Sequence, residues 1–129
     1  MASISTAGVA RKEGKFFIAQ RKPGSSIGER WEFPGGKAET GETPEAALKR
    51  EYLEEFSVEI DVGELVAAGE FSNKGREYRL LAYYVDLKGE PEPVEHQKTR
   101  WATLEELDHL DFPESDSIIV GALRDQPHT

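Results

Sequence analysis

Short runs in which apolar and polar residues alternate occupy most of this chain, and the spacing becomes helical at two places. Ser3 to Ala10 is small and partly β-branched, while Lys15 to Gln20 carries Phe16, Phe17 and Ile18. The Arg11-Lys12-Glu13-Gly14 stretch between them predicts a hairpin turn. Trp31 to Phe33 reads as a short strand leading into Pro34-Gly35-Gly36, where paired glycines let the backbone approach a ligand closely. Val58 to Ile60, Leu65 to Phe71, Tyr78 to Leu87 and Thr99 to Thr103 read as further strands, with turns at 73–76 and 88–89. The segments 22–30 and 90–95 are rich in Pro, Gly, Ser or Glu and predict loops. A helical turn is expected over Leu104 to Leu107, and a terminal helix over Ser115 to Leu123, with Ile118, Ile119, Ala122 and Leu123 at helical spacing.

The other helix is the informative one. Thr43 can cap it, Pro44 suits its first position, and Glu45 complements the positive end of its dipole. If it runs from Pro44 to Phe56, Glu51, Glu54 and Glu55 share one face and Leu48, Tyr52, Leu53 and Phe56 the other. Like charges three and four residues apart cost about 0.2–0.5 kcal/mol per pair on an exposed helix. A bound cation reverses that sign, and carboxylate oxygens suit a hard ion such as Mg²⁺. Three glutamates alone, however, describe a solvated acidic face better than a site.

Mixed strands around one internal and one terminal helix predict an α+β layered fold. The 129 residues are read as one domain, 1–129, with 37% apolar and 32% charged residues. No apolar run reaches the length of a membrane span, and neither membrane nor targeting segment is read, so a cytoplasmic location is expected. The absence of cysteine excludes thiolate metal sites and disulfides, and His96, His109 and His128 lack paired zinc-ligand spacing. A net charge of −9 argues against a nucleic-acid polymer as partner. A single nucleotide stays compatible with that charge, provided divalent ions mask its phosphates.

The stretch from Gly35 to Val58 changes the weight of the glutamates. Gly36, Glu42, Arg50, Glu51, Tyr52, Glu54, Glu55 and Val58 fall at the fixed places of the Nudix box, which it resembles. Ser57 stands where the pattern closes with Gly, and Tyr52 where an aliphatic residue is commoner. Ala19-Gln20-Arg21, the 31–37 segment and Glu95-His96-Gln97 before Trp101 extend the resemblance to the MutT-type and CTP pyrophosphohydrolase branches of that family. Gly36-Lys37 is not a P-loop, because the earlier Gly and the following Ser or Thr are missing.

The resemblance implies an α/β/α sandwich with a mixed sheet, and Mg²⁺-dependent hydrolysis of nucleoside triphosphates to monophosphate and pyrophosphate, with Mn²⁺ as a substitute. The implied metal ligands are Glu51, Glu54, Glu55, Glu95 and the Gly35 carbonyl. Glu51, then Glu95, is the expected proton acceptor; Arg50 orients a glutamate and Glu42 braces the preceding loop. Substrate contacts are implied at Arg21, Arg76 and Asp116, although an Asp at a helix start is equally an ordinary cap. Lys37 is a further candidate, and Phe33 and Trp31 can stack on a base, although such residues are more often core. An Asp facing the base favours an exocyclic amine, which sets CTP or a modified dCTP beside 8-oxo-dGTP as candidate substrates. ADP-ribose or another nucleoside diphosphate derivative, or a non-catalytic sensing module, is the alternative. The expected partner is a small nucleotide, and the expected state a monomer or homodimer.

Overall fold

The computed structural model describes residues 3–21, 30–94 and 96–126, with the backbone alone at 96 and 97. The strands are β1 (Ser3–Lys12), β2 (Lys15–Arg21), β3 (Trp31–Glu32), β4 (Gly35–Lys37), β5 (Ile60–Asn73), β6 (Arg76–Leu87) and β7 (His96–Thr103). The helices are α1 (Pro44–Phe56), α2 (Leu104–Leu107) and α3 (Glu114–Asp125). Among the described residues the strands form one mixed sheet in the order β3-β2-β1-β6-β5, with β4 on β1 and β7 on β2. The β1–β6 pair is parallel and the other pairs are antiparallel.

Alternation along β2 explains the layering. Phe16 and Ile18 enter a cluster with Leu107, Ile119 and Leu123, whereas Phe17 and Ala19 enter a second one with Leu48, Tyr52 and Phe56. Successive strand residues point to opposite faces, so α2 and α3 cover one side and α1 the other. The result is the α/β/α sandwich expected from the sequence.

Two hairpins close on two-residue turns, Glu13-Gly14 and Lys74-Gly75, whose φ values are all positive (52° and 77° in each). Such turns match the twist of the flanking strands. Thr43 caps α1 by accepting from the Ala46 N–H at 3.1 Å. Ser57 ends it in the left-handed region at φ 51°, the conformation for which the box pattern places Gly.

Three expectations are corrected. The strands at 58–60 and 65–71 are one strand, β5, which crosses the polar stretch 61–64 by bulges between Val62 and Ala67; Val58 precedes it, buried beneath α1. Gly35 to Lys37 is a strand on β1, so the segment 31–37 passes from β2 to β1. Leu53 is 55% exposed, whereas Glu55 is 5% exposed. The buried arc of α1 is centred on Tyr52 and Leu48 and reaches round to Glu55, leaving Leu53 about 100° away from Tyr52.

Tyr52 fixes that arc. Its buried hydroxyl donates to the Gly8 carbonyl at 3.0 Å, and a Cβ on Gly8 would lie 2.6 Å from the same oxygen. Tyr52→Phe is expected to lower unfolding free energy by about 1 kcal/mol, as read by denaturant titration. An unchanged midpoint would mean that the bond contributes nothing.

Candidate active site

Glu51 and Glu55, one turn apart on α1, bring their carboxyl groups within hydrogen-bonding reach of each other. Burial, then a hydrogen bond with Glu51 and the charge of Glu32, pushes the Glu55 carboxyl up to about 10, against the opposing pull of Arg21. Arg21 reaches from β2 to both acids, with Nε 3.2 Å from Glu32 Oε2 and Nη2 3.8 Å from Glu55 Oε1. Glu51 lies against bare backbone: a Cβ on Gly36 would stand 2.6 Å from its Cδ.

Arg50 ties this helix to the loop before it. Its Nε and Nη2 donate to the two oxygens of Glu42 at 2.7 and 3.0 Å, and Nη1 donates to Glu51 at 2.9 Å. Nη1 also reaches Glu54 at 3.4 Å, and Nη2 reaches the Lys37 carbonyl at 3.1 Å. The paired bonds from Arg50, with a backbone bond from Glu39, hold Glu42 down at about 2. A planar fork can hold two carboxylates in one plane, which an ammonium cannot.

Beyond Gly36 a cavity of about 420 Å³ opens between β1, β4, the β5–β6 hairpin and the start of α3. Gly35, Gly36, Lys37, Arg21, Phe33 and Asp116 line it. That volume lies in the usual range for a small-molecule site. Asp116 is 7% exposed; its Oδ1 accepts from the Phe33 N–H at 2.8 Å and its Oδ2 from Ser115 Oγ at 3.2 Å.

A model of the NUDIX domain matches residues 2–120. The chain belongs to the Nudix family. Among Nudix relatives, the CTP pyrophosphohydrolase of Escherichia coli is 40% identical over 108 residues, covering 83% of this chain and 78% of that protein. The 8-oxo-dGTP diphosphatase of Haemophilus influenzae is 35% identical over 124 residues, covering 95% of this chain and 91% of the relative. The solution structure of the E. coli ORF135 protein superposes with a TM-score of 0.87 at 34% identity, over 95% of this chain and 89% of that one. A MutT protein from Methanosarcina mazei shares the fold, with a TM-score of 0.82 at 20% identity over 95% and 91% of the two chains. The Nudix chain is thus a hydrolase acting on phosphoric anhydrides, of a family that uses divalent metal ions and small nucleotide substrates.

The residues present fit such an ion. Every donor is a hard oxygen, and the buried Glu55 carboxyl must hold either a proton or a cation. Among the described residues no three acidic or histidine side chains already surround a common point. Glu54 explains this: its side chain is 59% exposed and leans toward Arg50 rather than toward Glu55.

The remaining expected residues divide. Phe33 is buried and stacks on Phe112 at 5.7 Å, so it lines the cavity as an extension of the core. Arg76 begins β6 and is not among the described lining residues. Glu95 lies outside the described residues. Asp116 is not a helix cap: Pro113 occupies that place, and Asp116, three residues on, pins α3 to the backbone just after β3 instead. Glu32 and Tyr78, both cavity-lining, were missed. Strand alternation points to Tyr78, which shares a face with Leu80 and Ala82.

Burial raises the Asp116 carboxyl from 3.8 to about 7, against the bond from Phe33 N–H and with the charge of Glu32 adding to the rise. The folded protein therefore keeps a proton that the unfolded chain has released. That stabilisation is complete below about pH 4 and is lost as pH rises through about 7, at up to about 1.4 kcal/mol per pH unit. Asp116→Asn is expected to remove this decline, so that melting temperatures of variant and parent diverge between about pH 4 and about 7. Parallel profiles would show that Asp116 titrates alike in both states.

Proposed function

We propose that residues 1–129 form a single Nudix hydrolase domain that cuts nucleoside triphosphates, ribo or deoxy, to the monophosphate and pyrophosphate. The observation that carries the reading is the convergence of the buried Glu55 with Glu51, which lies against Gly36 in the wall of the cavity. Glu51, Glu54, Glu55 and the Gly35 carbonyl, with Glu95 by resemblance, hold Mg²⁺, or Mn²⁺ in its place. The ion, when bound, masks phosphate charge and acidifies the attacking water. Glu51, fixed by Arg50, takes the proton as water attacks the β-phosphorus. The bond from that phosphorus to the bridging oxygen breaks, and the nucleoside monophosphate leaves with that oxygen. Arg21 and Lys37 face the phosphates from the cavity wall.

Asp116 reads the base. Near neutral pH part of its carboxyl is ionised, and a carboxylate oxygen only accepts, so it favours an exocyclic amine on the base. Cytosine offers that amine, and uracil replaces it with a carbonyl that a carboxylate repels. CTP and modified dCTP are therefore the preferred candidates, 8-oxo-dGTP the rival, and clearing altered nucleotides from the cytoplasmic pool the physiological role. A product assay with Mg²⁺ across ordinary, oxidised and methylated triphosphates tests this. Pyrophosphate release, fastest with an amine-bearing pyrimidine, is expected; faster cleavage of ADP-ribose, or no turnover of any nucleotide, would overturn it.

A further inference from the structure

Lys37 does not project freely into the cavity. Its carbonyl is held by Arg50, and its ammonium stands over the ring of Tyr78 at 5.2 Å from the centroid. The sheet register explains how residues from β4 and β6 meet. Lys37 is opposite Ser5 of β1, Ser5 is opposite Leu80 of β6, and Tyr78 lies two residues before Leu80. Directly paired residues share a face, as do residues two apart, so Lys37 reaches across the small Ser5 to Tyr78 on the cavity side.

Tyr78 is itself fixed. It is 8% exposed and stacks on Phe71, its partner in β5, with centroids 5.2 Å apart and planes 14° from parallel. The ring is therefore a rigid plate carrying a cation. Lys37, and to a smaller extent Arg76, also draws the phenol below its ordinary pKa, as cations close to the hydroxyl do. Lys37, Tyr78, Phe71 and Ser5 all line the cavity next to Gly36.

We infer that Tyr78 is a positioning residue, whose ring holds the Lys37 ammonium at the phosphate end of the cavity. Without the ring, Lys37 is a flexible stem with several rotatable bonds, and ordering it falls to the substrate. This rests on the triphosphate hydrolase reading for its kinetic consequence, but not for the contact itself. An exposed cation–ring contact is worth about a three- to five-fold change in affinity.

The contact is tested on the full chain by NMR of the lysine side chains. The ε-methylene protons of Lys37 are expected upfield of the other lysines, through the ring current, and to return to ordinary positions in Tyr78→Leu while Tyr78→Phe keeps them shifted. Unshifted protons in the parent protein would overturn the inference whatever the activity. The kinetic arm uses Mg²⁺ and CTP. Tyr78→Leu is expected to raise KM about three- to five-fold with kcat little changed, Tyr78→Phe to stay near the parent, and Tyr78→Leu to add nothing in a Lys37→Met background. An equal penalty in both backgrounds would assign Tyr78 to folding alone and overturn the role. Failure of the parent to hydrolyse any triphosphate would remove the proposed function, and the NMR result would still decide the contact.

Discussion

Exchanging Glu55 for Gln is expected to lower kcat for triphosphate hydrolysis about a thousandfold, the upper range for losing one group that stabilises transition-state charge, while the protein stays folded. Glu55 sits within the buried arc of α1, with its carboxyl pushed up to about 10 by burial and by Glu51. A neutral Gln of nearly the same shape therefore replaces a group that is already neutral in the metal-free protein. The fold has little to lose, and the ion loses a charged oxygen donor. The same exchange at the exposed Glu54 is expected to collapse turnover with still less effect on folding. Saturating Mg²⁺ should raise the melting temperature of the parent, through preferential binding to the folded state, and leave that of Glu55→Gln unchanged. Parental rates in both variants would remove these acids from the site.

The second large effect is expected from one methyl group. In Gly36→Ala the new Cβ would lie 2.6 Å from Glu51 Cδ. The end of a flexible side chain can yield, so the carboxylate is displaced and the sheet survives. Misplacing a reacting group by about 1 Å costs roughly a hundredfold in rate, and kcat is expected to fall by that order with a melting temperature near the parent. Gly35→Ala provides the contrast. Its Cβ would meet the Thr6 carbonyl oxygen at 2.1 Å, in backbone that cannot yield without breaking the β1–β4 pairing. Loss of fold is expected there. Equal rates for Gly36→Ala and the parent would show that Glu51 does not need its present position.

Local signals explain what the sequence revealed. Thr43, Pro44 and the two glycine turns act within a few residues of themselves, and the helix start and hairpins stand where those residues place them. The helix rotation does not follow from local preference. Leu53 and Glu55 exchange places because Tyr52 is anchored to Gly8, a contact spanning 44 residues. Asp116 was legible as a polar residue at a helix start, but its partner is the Phe33 N–H, 83 residues away. Tyr78 looked like an ordinary first residue of a strand, because its role depends on two neighbouring strands in register. The polar interval 61–64 hid the continuity of β5, since bulges let a strand pass residues that break alternation.

The ion's position is the point on which the chemistry turns. A crystal of the protein grown with Mn²⁺ and a triphosphate analogue carrying a methylene in place of the α–β bridging oxygen would locate it by anomalous scattering. The expected peak lies about 2 Å from carboxylate oxygens of Glu51, Glu54 and Glu55 and touches the polyphosphate. An ion bound to the phosphates with those three carboxyl groups turned away would contradict the account.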